Sequence, residues 1–431
     1  MRGERGNKRG FQPMWIRFRF DIGVLDLAYG VAACAFPANR GALQDRASRC
    51  WPHPAETIVC LSIRSGFDAL LRVLALPKGS EVLISALTVP DMVRIVEQQG
   101  LVPVPVDLVS QGSTPCPESL RRAITPASRV LVVAHLFGAR IAMEPILAIA
   151  KEHRLLVVED CAQAFDGRDY VGHRDSDVVM FSFGPIKTAT ALGGAVLSVR
   201  VPGVMDHLRR LQAEYPVQSR WNYLRRLLKY ALFKLLAARP AFSVIAWGCT
   251  VLGINHDRLV SGAARNFPHG DLLRQIRRQP SGPLLRMLLW RWNRYRFDRL
   301  RRRQSRGEQL AARLNGLVPV GGRTTESNNF WVFPILAENQ ADVVRCLRDV
   351  GFDATRESRL TVVRPPDDRA SLAPVNAQRL LSKIVFLPWY LDLPDKALKQ
   401  MAEVLQETGK EYRGEEGEKL SPPLADVAPR V

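Results

Sequence analysis

VVEDCAQAFDG (residues 157–167) and, after a short loop, DVVMFSFGPIKTATALGGAVL (residues 177–197) are two nearly unbroken apolar runs that each lead into polar groups. Runs of this kind read as strands buried on both faces, the mark of a parallel sheet. Asp160 then falls at the carboxyl end of the first strand, where open α/β sheets take their ligands. Lys187 follows the second, in a loop of small residues that ends in Gly193–Gly194, where the backbone can approach a ligand closely. Each has a plainer reading: Asp160 as the cap of a following helix, and Lys187 as a surface lysine on a flexible loop.

A lysine able to form a Schiff base, with a carboxylate able to keep a pyridinium nitrogen protonated, is the minimum chemistry of a pyridoxal phosphate site. Gln163, three residues after Asp160, is placed to hydrogen-bond the ring hydroxyl, and Ser182 to give its hydroxyl to the phosphate. Upstream, Ser65-Gly66-Phe67-Asp68 stands between a strand and a helix. There, backbone N–H groups and the helix dipole can hold a phosphate.

Outward from this stretch the pattern is regular. From Thr57, strands such as IVCLS, EVLIS and VLVVA alternate with helices such as ALLRVLAL and EPILAIAKEHR. The expected architecture is α/β, a mostly parallel central sheet covered by helices over residues 57–200. A basic, apolar helical insert covers 201–313, and a smaller α/β C-terminal domain covers 314–410. An N-terminal segment (1–56) precedes them, and a polar, proline-containing tail (411–431) is expected to be disordered.

The seven cysteines show no metal-ligand spacing, so no metal site is expected. The opening MRGERGNKRG is not followed by the apolar core of a secretion signal, which points to a cytoplasmic location. The net charge of +19 is uneven: residues 201–313 hold 23 Lys and Arg against 6 Asp and Glu, a surplus of 17. Arginines interleaved with Leu, Trp, Phe and Tyr suit a helix on an anionic membrane surface, and a peripheral location follows from that reading. A helical subdomain with a solvated arginine face fits as well, and no recognised nucleic-acid motif accompanies the charge.

Taken together, SGFDALLRVLALPKGSEVLISALTVPDMV, VVEDCAQAFDG, FSFGPIKTATALGG, FWVFPIL and FLPWY resemble the DegT/StrS family of sugar aminotransferases, over most of 57–200 and 315–406. The resemblance implies a fold-type I aminotransferase with pyridoxal 5'-phosphate on Lys187 and Asp160 on the ring nitrogen. It also implies Gln163 near the ring hydroxyl, with Ser182 and the backbone of Gly66, Phe67 and Asp68 on the phosphate. Asn266, in Arg265-Asn266-Phe267, resembles the asparagine that reaches a neighbouring subunit's phosphate. A homodimer is implied, with an amino-acid donor such as glutamate and a keto-sugar acceptor, nucleotide-linked or lipid-linked.

Three departures from the family stand out. Phe67 and Asp68 replace threonine and alanine, Val89 replaces an aromatic that stacks on the cofactor, and Gly184 replaces histidine or asparagine. Phe67 is the candidate for the missing ring. Lys187 is intact where dehydratase relatives carry histidine, which favours transamination. The rival reading is a non-catalytic, membrane-associated sensor or scaffold.

Overall fold

Alternation within the strands builds the two faces of the sheet. In the computed structural model, which describes residues 11–110, 112–167, 169–254, 257, 271–314 and 325–415, the nucleus is a seven-stranded sheet. Its strands are β1 (Thr57–Cys60), β2 (Glu81–Ser85), β4 (Val102–Val106), β5 (Ser128–Ala134), β7 (Leu156–Asp160), β8 (Val178–Ser182) and β9 (Ala195–Val199). The spatial order is β1-β9-β8-β7-β5-β2-β4, and only β9 runs against its neighbours. On β5, Val130 and Val132 enter one core while Leu131 and Val133 enter the opposite one, as a period of two requires. Short pairings complete the sheets: β3 (Leu87–Thr88) with β12 (Thr361–Val362), and β6 (Ala139–Ile141) with β10 (Thr325–Asn328).

The N-terminal segment holds two helices, α1 (Val24–Ala35) and α2 (Arg40–Arg49). Between strands of the large domain lie α3 (Ile63–Leu74), α4 (Pro90–Gln98), α5 (Pro117–Ala123) and α6 (Glu144–Glu152). The basic segment folds as α7 (Val204–Glu214), α8 (Arg220–Leu236), α9 (Arg239–Val251), α10 (Leu272–Ile276), α11 (Gly282–Arg294) and α12 (Asp298–Arg313). The smaller unit pairs β11 (Phe333–Leu336) with β13 (Ile384–Leu387), covered by α13 (Gln340–Asp349), α14 (Val375–Lys383) and α15 (Asp395–Glu415). α15 runs past residue 410, where the tail was expected to begin; residues 416–431 lie outside the described residues.

The basic segment is shared among three cores. Met205 and Leu208 of α7 join the core beneath α3; Tyr223, Leu227 and Leu284 of α8 and α11 pack with α1 and the lysine loop. Phe242 and Ala246 of α9 enter the core of the C-terminal unit. The N-terminal segment is a strap across that unit. Trp15 donates its N–H to Gly351 O (2.7 Å) and accepts from Asp353 N (2.9 Å), and buried Arg17 grips the Asp353 carboxylate.

A tight joint fastens the large domain to the C-terminal unit. Gly138 follows β5 with φ +94°, and a Cβ there would lie 2.6 Å from the main-chain nitrogen of Trp331 and 2.4 Å from Asn329 Oδ1. Both left-handed strain and overlap with a fixed backbone atom oppose a side chain. Gly138→Ala is therefore expected to lower stability by about 2–4 kcal/mol, read as a fall in the unfolding midpoint. An unchanged midpoint would show that the joint yields.

Candidate active site

Adjacent strand ends place the polar groups. β7 closes on Asp160 and β8 on Ser182, both at the carboxyl edge of the sheet. Asp160 Oδ1 accepts from Ala162 N–H (2.9 Å), and no helix follows through residue 167, so this aspartate turns the chain and caps nothing. Lys187 lies in the loop between β8 and β9, its Nζ 4.1 Å from the centroid of the Trp331 ring. Trp331 in turn donates its indole N–H to Ile186 O (2.8 Å), so the ring is fixed to the loop it covers.

Burial drives both charges toward neutrality. It pushes Lys187 down from 10.5 to about 7; Asp160 opposes the fall, and Arg64 and Arg359 add to it. Burial likewise pushes the Asp160 carboxyl up, against the Ala162 N–H and the charges of Lys187 and Arg64. A half-neutral amine at neutral pH is a nucleophile and proton carrier; an ordinary lysine is neither.

The loop that carries Lys187 is strained and held from outside. Ala189 (φ 52°), Leu192 (φ 59°) and Gly194 (φ 87°) all adopt the left-handed region, two of them without being glycine. Asp21 Oδ2 accepts from Ala189 N–H (2.8 Å). Three side chains of the basic segment donate to three successive carbonyls: Arg291 Nε to Thr190 O (3.0 Å), the Tyr223 hydroxyl to Ala191 O (2.7 Å) and Arg226 Nη1 to Leu192 O (3.1 Å). Arg303 reaches Thr188 Oγ1 (3.2 Å) and Asn329 O (2.8 Å), joining the loop to the segment that bears Trp331.

Beneath Asp160 lies a closed polar network. Both oxygens of buried Glu159 are engaged: the hydroxyl of Tyr170 and His135 Nε2 (2.8 Å) bond one, His173 N–H (2.8 Å) and Ser176 Oγ (2.7 Å) the other. Burial would raise this carboxyl, yet the hydrogen bonds from His135, Tyr170 and Ser176 hold it at about 2. His135 Nδ1 accepts from Ile141 N–H (3.2 Å), so Nε2 carries the proton. Cys161 Sγ also donates to Glu159 Oε1 (3.3 Å), so both carboxylate oxygens and His135 Nδ1 accept from protein donors.

Asp160, Ser182, Gln163 and Lys187 thus share one edge. Gln163 Oε1 accepts from Phe137 N–H (2.7 Å), which leaves its amide nitrogen as the group to offer a ligand. Three expectations near α3 are corrected. The helix begins a turn earlier than the motif suggests, capped by Ser62, whose hydroxyl accepts from Ser65 N–H (3.2 Å). Gly66 N–H is therefore spent on Ser62 O, and the helix-start donors fall at Ile63 and Arg64. Gly66 instead admits Leu197 to the helix, since a Cβ would meet that side chain at 2.4 Å.

Phe67 is fully buried in the core beneath the sheet and cannot supply a stacking ring. Asp68 points away from the sheet edge, bound by Gln99 Nε2 (2.7 Å) and by both arms of Arg277 (2.9 and 3.0 Å). Asn266 lies outside the described residues. Trp331, Arg64 and Arg359 escaped the reading; Trp331 was visible only as part of a strand-like run, 144 residues from the lysine it covers.

The class follows first from the fold. Residues covering 93 % of the chain superpose on 99 % of the aminotransferase TlmJ from Streptoalloteichus hindustanus (TM-score 0.64, 16 % identity). Residues covering 94 % superpose on 99 % of the sugar aminotransferase Spr1654 from Streptococcus pneumoniae in its PLP form (TM-score 0.63, 15 % identity). The fold is that of fold-type I aminotransferases. Residues 54–226 match the model of the DegT/DnrJ/EryC1/StrS aminotransferase family.

Curated relatives include the erythromycin biosynthesis sensory transduction protein EryC1 of Saccharopolyspora erythraea, 36 % identical over 36 % of this chain and 44 % of that protein. The dTDP-3-amino-3,4,6-trideoxy-alpha-D-glucose transaminase of Streptomyces venezuelae is 35 % identical over 36 % and 43 %. The chain thus spans less than half the length of these curated relatives.

Two outcomes test this geometry. Limiting acetic anhydride should acetylate Lys187 with a pH midpoint of about 7, followed by peptide mass spectrometry. A midpoint near 10 for Lys187 would mean the amine is hydrated. Asp68→Ala should cost about 1–3 kcal/mol of stability by releasing Arg277 and Gln99, and leave pyridoxal phosphate affinity within about twofold. A large loss of affinity in folded protein would return Asp68 to the phosphate.

Proposed function

We propose that this chain is a pyridoxal phosphate-dependent aminotransferase that moves an amino group from an amino acid, glutamate by the family resemblance, to a keto sugar. The acceptor is nucleotide-linked or lipid-linked, and the protein works as a homodimer on the cytoplasmic face of a membrane. The observation that carries the chemistry is the Lys187–Asp160 pair at adjoining strand ends, with Lys187 held down at about 7. Two relatives carry nucleotide-sugar names, the dTDP-sugar transaminase and a UDP-N-acetyl-3-dehydro-alpha-D-glucosamine 3-aminotransferase from Acidithiobacillus ferrooxidans (33 % identical over 34 % of this chain).

The residues fit the cofactor. A buried carboxyl with a raised pKa gains a partner in a ring nitrogen, and Asp160 would keep that nitrogen protonated. Ser182 and the helix start at Ile63 and Arg64 would hold the phosphate, and the Gln163 amide the ring hydroxyl. The cofactor would supply an aldehyde and an electron sink. Lys187 Nζ, half-neutral at neutral pH, holds it and then moves the proton between the carbons that lose and gain the amine. Trp331 closes one side of Lys187 against water. The name of EryC1 belongs to the rival sensory class, but a sensor has no need of a depressed lysine beside a buried acid.

The test is spectroscopic. Wild-type protein with pyridoxal phosphate should show a visible band that glutamate bleaches and that borohydride fixes to Lys187. Lys187→Ala should lack it, and Asp160→Ala should slow the half-reaction by about 10²–10³-fold. If pyridoxal phosphate leaves the spectrum of the folded protein unchanged, the enzyme reading falls.

A further inference from the structure

Large apolar side chains on the surface are concentrated. Seventeen are exposed among the described residues, and all but Val217 and Val375 fall within residues 11–36 or 221–254. α1 shows this most plainly. Its outward face carries Val24, Leu25, Ala28, Val31, Ala32 and Ala35, at helical spacing and without a charge. A surface helix ordinarily turns charged residues to water. Packing fixes this orientation: Gly30 seats α1 on α8 and α11, where a Cβ would come 2.7 Å from Leu227 and 2.5 Å from Met287. The one acid within α1, Asp26, is taken by Arg291 (2.5 Å) and by the Trp290 indole (2.8 Å).

The apolar face continues across two more helices. α8 exposes Leu228, Leu232 and Leu235 along one stripe, and α9 exposes Val244, Trp247 and Val251. Phe11 meets Trp247 edge-on at 6.5 Å, extending the face to the N-terminal segment. α8 and α9 meet at a bend of 84°, and no single helix among the described residues is long and apolar enough to cross a membrane. Such helices are suited to lie in an interface.

Charge selects what covers the face. α8 and α9 together contain six basic residues and no acidic one. Arg226 is spent inside on Leu192 O and Lys234 on Ile22 O, while Arg220, Arg225 and Lys229 remain at the exposed border. A two-fold contact with a second copy would set these cations against themselves, with no acid on either helix to meet them. Anionic headgroups meet them directly, and the leucines and Trp247 enter the acyl boundary below.

We propose that α1, α8 and α9 form a docking face for a bilayer bearing anionic lipid. This gives the membrane location read above its surface, and it stands or falls apart from the chemistry at Lys187. The inner side of α8 holds the carbonyls of Ala191 and Leu192 in the lysine loop, so the bilayer lies about one helix diameter, ~10 Å, from that loop.

Vesicle flotation of the full chain tests it. The protein should float with phosphatidylcholine vesicles that contain phosphatidylglycerol, bind phosphatidylcholine alone at least about tenfold more weakly, and lose affinity as salt rises. Brominated lipid should quench tryptophan fluorescence in the bound protein, and Trp221→Leu with Trp247→Leu should together remove most of that quenching. Leu25→Glu, Leu232→Glu and Val251→Glu, each checked for an unchanged melting temperature, should each weaken binding at least about tenfold. Absence of wild-type flotation would overturn the proposal. So would undiminished binding by the folded glutamate variants, or a dimer that those variants split while wild type ignores vesicles.

Discussion

The main chain from Lys187 to Gly194 is the constraint on which the rest of the structure depends. Two non-glycine residues there, Ala189 and Leu192, sit in left-handed backbone, a state that costs free energy and persists only where surroundings over-determine it. The surroundings are Asp21 from the N-terminal strap, Tyr223, Arg226 and Arg291 from the basic segment, and Arg303 at the joint with Trp331. Each donates or accepts at a main-chain or hydroxyl group of the loop. The lysine is therefore presented by contacts from four separate parts of the chain, and a change in any of those parts is a change at the site.

This explains much of the charge that composition alone leaves unexplained. Guanidinium groups are the side chains best able to satisfy buried carbonyls, since each carries several donors in a fixed plane. Arg226, Arg291 and Arg303 use that geometry on the lysine loop; Arg286 uses it on the carbonyls of Phe36 and Pro37, and Arg277 on Asp68. The basic segment thus holds two populations of cations. One is buried and ties main chain together. The other borders the bare apolar face of α8 and α9.

What was legible in the sequence was local. Asp160, Ser182 and Lys187 follow their strands directly, so strand assignment alone carries them to one sheet edge. Phe67 and Asp68 were misread because a helix turns its side chains by about 100° per residue. Ser62 caps α3 a turn before the glycine motif, and that shift sends Phe67 into the core and Asp68 to Arg277. Trp331 was out of reach for another reason: its place over Lys187 depends on the joint at Gly138 and Asn329, and no local pattern encodes that docking. Nor does a charge count tell an arginine bound to a carbonyl from one in solvent.

Lys187 and Asp160 pull each other back toward the charged state, yet burial still moves both the other way. Their mutual attraction is the second largest influence on the lysine, opposed by the guanidinium groups of Arg64 and Arg359. Arg64 matters because it acts with opposite sign on the two partners: it favours the Asp160 carboxylate while disfavouring the Lys187 ammonium. One cation thereby pushes the pair toward ionised acid and free amine, the combination a nucleophilic lysine with an anionic partner requires. Arg64 is itself anchored to Asp91 (2.7 Å) at the start of α4. The early start of α3, which defeats the phosphate cradle expected at Gly66–Asp68, is thus also what brings a guanidinium to the lysine.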